Sequence, residues 1–71
     1  MITLEELASL EKGDLVETMP LLSGVSIEPV VLHVRDVEHD PLIVQFSSTW
    51  HGVTLGNWSA REKDGEVQWE L

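Results

Sequence analysis

Two runs of β-branched and apolar residues, separated by four residues that cannot continue a ladder, constrain this chain more than any other feature. The runs are Pro29 to Val37 and Leu42 to Phe46, and Glu38, His39, Asp40 and Pro41 stand between them. β-Branched side chains fit the pleated surface of a strand, whereas proline lacks the N–H that a ladder uses. The stretch from Glu28 to Ser48 therefore reads as a hairpin. Opposed residues of an antiparallel pair share a face, so the register that matches apolar with apolar is preferred. It sets Val34 against Val44 and Leu32 against Phe46, and places Val30, Leu32, Val34, Leu42, Val44 and Phe46 on the core face. A slip of one residue would oppose Val34 to Gln45 and Leu32 to Ser47, and is rejected. His33, Arg35, Gln45 and Ser47 take the other face together with Val31, Val37 and Ile43. A face this apolar calls for a cover: the N-terminal helix, a strand folding over in a barrel, or a second copy of the chain.

The flanking elements follow from local signals. Thr3 with Glu6 three residues on forms a capping box, Ile2 can staple onto Leu7, and Gly13 is placed to end a helix over 3–12. Leu4 and Leu7, with Ala8 or Leu10, make its buried stripe. Strands are expected near 14–19, 29–37, 42–48, 53–63 and 66–71, all within a single small domain spanning 1–71. Pro20 stops the first of them, and a long partly buried loop with an irregular strand near Val25 to Ile27 follows. Gly56 marks a candidate bulge. Asp64-Gly65 is the strongest turn signal, because a type I′ turn needs positive φ at both central positions. Lys63 then faces Glu66, Arg61 faces Gln68, Ala60 faces Trp69, and Trp58 faces Leu71, which makes Leu71 a core residue.

The fold class is accordingly mainly β: about five strands in a small barrel or strongly twisted antiparallel sheet, with one short N-terminal helix. The LEKGDLV approach to the first strand (Leu10 to Val16), the long loop after it and the hairpins running through Trp69 resemble the SH3-like small barrels. That resemblance covers roughly residues 14–71 and implies a fold alone. The chain has no tyrosine, so the tyrosine-rich surface with which that family grips proline peptides has no counterpart here. An open sheet backed by the helix is the rival architecture.

Thirteen acids against four Lys and Arg give a net charge of −9. A field of that sign repels phosphate backbones and disfavours direct nucleic-acid binding. It attracts a basic protein surface. A chain this short buries only about 60% of its unfolded surface, and it has no cysteine to staple it, so dimerisation or a bound partner is expected to help it. No basic-then-apolar leader and no apolar run of membrane-spanning length are present, which leads to the expectation of a soluble, cytoplasmic protein without a membrane partner.

No pattern specifies catalysis. Ser48 or Thr49 with His51 has no defining spacing, since a triad is set by geometry. Gly52 and Gly56 match no phosphate-binding spacing. Asp36, Glu38 and Asp40 alternate near the turn, and a metal site would draw on them with His33, His39 and His51, but nothing converges them. No metal or cofactor is therefore expected. Phe46, Trp50, Trp58 and Trp69 are the aromatics available for a ligand cage, and Trp58 and Trp69 fall on the apolar face of the last hairpin. The candidate partner-binding residues are Trp50 and His51, an aromatic platform beside a titratable ring in a polar loop, and Val31, His33, Arg35, Val37 and Ile43 on the outer face of the central hairpin. The reading is a non-catalytic protein-interaction or accessory module whose partner is a basic protein. The alternatives are a homo-oligomeric structural domain and an acidic inhibitor that imitates nucleic acid.

Overall fold

The computed structural model describes the backbone of residues 2–22, 25–26, 28–50 and 53–71, and the side chains of these residues except 25–26, 49–50 and 53–55. In chain order they form α1 (Leu4–Ser9), β1 (Leu15–Thr18), β2 (Leu21–Leu22), β3 (Val25–Ser26), β4 (Val30–Glu38), β5 (Ile43–Trp50), β6 (Val53–Lys63) and β7 (Glu66–Glu70). Five of the strands make one antiparallel sheet in the order β1-β4-β5-β6-β7, curled into a half-barrel, and β2 pairs with β3 separately.

Thr3 caps α1 as its sequence predicts, with Oγ1 accepting the Glu6 N–H at 3.1 Å and donating to Glu6 Oε1 at 3.1 Å. The helix stops at Ser9, short of the expected Lys12. Asp14 explains this: its Oδ2 accepts the Glu11 N–H at 2.8 Å while its own N–H donates to the Glu11 carbonyl at 3.1 Å. The chain is thereby drawn into a turn, with Gly13 at φ +98°. Glycine alone enters that region without strain. The ladder of β1 is then extended by Gly13 N–H to Val34 O at 3.0 Å and Val34 N–H to Asp14 O at 2.9 Å.

The central hairpin forms, but in a different register from the one expected. Its turn occupies residues 39–42, with Asp40 at φ +57°, a conformation a short polar side chain tolerates. Glu38 faces Ile43, Val37 faces Val44 and Asp36 faces Gln45; beyond a bulge at Arg35, Val34 faces Phe46, His33 faces Ser47 and Leu32 faces Ser48. The displacement has a parity argument behind it. Continued without the bulge, the turn's register would oppose Val34 to Ser47, setting an inward apolar side chain against an outward polar one. One extra residue in β4 restores the match. Because the resulting offset from the expected register is even beyond the bulge, Leu32, Val34, Val44 and Phe46 keep the inward face assigned to them. Val37 does not keep its assigned face: it packs against the core.

The β6–β7 hairpin has the register set by Asp64-Gly65, with φ +54° and +79° at the two positions and Ala60 opposite Trp69. Gly56 lies beside a register shift between Ser48 and Thr49, next to the bulge expected of it. Two expectations fail here. β5 runs on through Trp50, which pairs with Val53, so Trp50 belongs to a strand and not to a polar loop. Leu71 lies past the end of β7 and is 81% exposed, because the ladder stops at Glu70 and leaves no Trp58 partner for it.

The inward face and α1 share one core of Ile2, Leu7, Leu32, Val34, Val44, Phe46, Ala60 and Trp69. Phe46 and Trp69 meet with ring centroids 5.5 Å apart at 35°, a tilted contact that adds to their area burial. Leu10 and Trp58 pack against the same cluster, while Ala8 faces solvent. No helix among the described residues is long and apolar enough to cross a membrane.

Candidate functional site

Register decides which candidate residues meet. On the outer face, Leu15 lies opposite His33, and Glu17 opposite Val31, across β1 and β4. His33 in turn faces Ser47, which faces Asn57. Ile43 sits between Glu38 and Arg61 at the other end of the sheet. Val31, His33 and Arg35 therefore form one cluster and Ile43 a separate position. Val37 is removed from the face altogether by the bulge. Trp50 is described in its backbone alone, and His51 lies outside the described residues.

Arg35 is the best positioned of these side chains. The bulge takes it out of cross-strand pairing, and its Nε donates to Ser47 Oγ at 2.8 Å. Ser47 is 1% exposed, so one end of the guanidinium is anchored by a buried hydroxyl. A shallow hollow of about 260 Å³ adjoins it, lined by Arg35, Gln45, Asn57, Ser59 and Leu71 among others. Its walls combine the polar side chains of Arg35, Gln45, Asn57 and Ser59 with the apolar ones of Phe46, Trp58 and Leu71. Ser47 is legible only as an outward polar residue; its burial and its hydrogen bond to Arg35 appear only with the bulge-shifted register.

The cover expected over this face is not provided by α1, whose Leu7 belongs to the inward core. Leu15 is 70% and Val31 44% exposed. Among the described residues no three of His, Asp and Glu are grouped to hold a metal ion. The one ion pair among them joins Arg61 Nη2 to Glu70 Oε1 at 2.9 Å, on half-exposed side chains. Exposed carboxylates stand on α1, β1, β4 and the segments beside them, at Glu5, Glu6, Glu11, Asp14, Glu17, Glu28, Asp36, Glu38 and Asp40, and on the β6–β7 hairpin at Glu62, Asp64 and Glu66. No protein-family model, curated protein or solved structure matches this chain.

Proposed function

We propose that the chain is a non-catalytic interaction module, a half-barrel of the SH3-like kind whose acidic surface engages a basic protein. The observation that carries this is the uncompensated charge: thirteen acids share a single described ion pair. Fields of that kind steer a partner of opposite sign and speed its encounter. Titrating the protein with a lysine decamer and with a DNA duplex at low and high salt tests the reading. Binding of the decamer that weakens as salt rises, with none of the duplex, is expected; an inert decamer at low salt refutes it.

A second reading, self-association through the outer face, is favoured by the exposure of Leu15 and Val31. Light scattering across a concentration series distinguishes the two. A monomer at every concentration removes the second reading.

A further inference from the structure

β1 presents an unpaired edge beside the exposed part of the outer face. In the five-stranded sheet it pairs with β4 and with no other described strand. The direction of its main-chain groups follows from one bonded pair: Gly13 N–H donates to the Val34 carbonyl, and Val34 N–H to the Asp14 carbonyl. Bonded and non-bonded pairs alternate along an antiparallel ladder. Counting on from Asp14 opposite Val34, Val16 and Thr18 turn their N–H and C=O groups to Leu32 and Val30, and Leu15 and Glu17 turn theirs away from β4. Among the described residues no turn or loop bond reaches either of those two. Among the described elements only β4 runs alongside β1; β2, which follows Pro20, approaches β7 instead. The start of α1 lies elsewhere too, with Ile2, Thr3 and Leu4 beside Gly65 and Glu66 at the turn between β6 and β7, whereas β1 pairs with the half of β4 that begins at Val30.

We propose that the β1 edge binds an extended, basic segment of another protein as an added antiparallel strand. The added residues opposite Leu15 and Glu17 share the outer face with them, and the one between, opposite Val16, turns to the core side. Val16 is half-buried and packs against the core, so an apolar residue suits that middle position. Lysine suits the two outer ones: its carbon stem covers the exposed Leu15, and its ammonium meets the Glu17 carboxylate. Charge selects this occupant. Glu11, Asp14 and Glu17 are exposed on β1 and its approach, and Lys12 is the only lysine or arginine before Arg35. Charged side chains on an edge decide which strands it accepts, and a second copy paired edge to edge would bring two such acidic sets together. The inference rests on the acidic-module reading and gives it a location and a binding mode.

The test uses the full chain, isotopically labelled, with four synthetic probes: an alternating Lys-Val hexapeptide, the same peptide N-methylated at its lysines, the same peptide N-methylated at its valines, and an uncharged Ser-Val counterpart. With the first, amide shifts are expected along Leu15–Thr18, with slowed hydrogen exchange at the Leu15 and Glu17 amides. Residues of the added strand that lie opposite Leu15 and Glu17 direct their N–H groups at β1, and their neighbours direct theirs away. Methylating the lysines therefore removes two or more main-chain hydrogen bonds and weakens binding by about tenfold or more, while methylating the valines leaves it within about twofold of the parent. Equal binding of the two methylated isomers, or shifts centred on Asp36, Glu38 and Glu66, overturns strand addition to β1 while the acidic-module reading stands. The Ser-Val peptide binding β1 as tightly as Lys-Val overturns the basic occupant and that reading with it. Shifts at β1 that grow with protein concentration alone assign the edge to a second copy and overturn the proposal. No binding of any probe overturns it too, and the lysine decamer then reports separately on the acidic surface.

Discussion

Two leucines show how far hydrophobicity alone is from burial in a chain this size. Leu7 belongs to a six-residue helix that has too few turns to persist in water by itself, yet it has no exposed surface, because it closes the open side of the curled sheet. Leu71 ends a strand pattern of alternating faces and lies in solvent. Leu7→Ala is expected to destabilise by about 2–5 kcal/mol, since both the transfer free energy and the cavity it leaves count against the fold. Removing Leu71 alone should leave the melting temperature unchanged. Removing residues 69–71 should abolish the cooperative transition, because Trp69 is the ring against Phe46. Thermal unfolding of the three variants checks all of this, and a stable protein lacking Trp69 would contradict the core assignment. At Gly65, φ is +79°, and Gly65→Ala is expected to cost about 1 kcal/mol through the left-handed backbone penalty, measured by urea unfolding.

Elements were legible in proportion to how local their determinants are. Asp64-Gly65 dictated a whole register because its turn accepts only a narrow set of backbone angles, and Thr3 with Glu6 dictated a helix start. The central hairpin was legible as an element, and most of its inward face survived, because an even displacement preserves the side of every residue beyond the bulge. Its register was not legible, since the bulge at Arg35 has no glycine to announce it and exists to reconcile a four-residue turn with the pairing of Val34 and Phe46. The candidate site inherited that limit: Val37 was assigned to the outer face only because the bulge was unseen. A deletion experiment follows from the parity. Deleting Arg35 removes the extra residue and leaves Val37 opposite Val44 and Val34 opposite Phe46, so cooperative folding should persist. Deleting Gln45 from the opposite strand carries Phe46 to the outer face, and the fully buried ring is lost from the core at a cost of about 3–5 kcal/mol. Equal melting temperatures for the two deletions would show that the bulge does not set the register.

At the scale of the whole molecule, charge and fold pull against each other. A net charge of −9 on 71 residues, with one described ion pair to offset it, makes the compact state repel itself more than the expanded one. Screening relieves the compact state more. The Debye length shrinks from about 10 Å at 0.1 M salt to about 3 Å at 1 M, so the melting temperature is expected to rise with sodium chloride. Salt also strengthens apolar burial to some degree, and a charge variant separates the two effects. Glu17 and Glu38 are exposed on strands, and reversing both to lysine shifts the net charge by two units at each position while leaving the core intact. If repulsion dominates, the double variant melts higher than the parent at low salt, gains less from added salt and converges with it at high salt. If the two proteins climb in parallel, the salt response comes from apolar burial, and the acidic surface costs the fold nothing. The same variant bears on binding: a lysine probe that depends on the field of the whole molecule loses affinity for it at low salt.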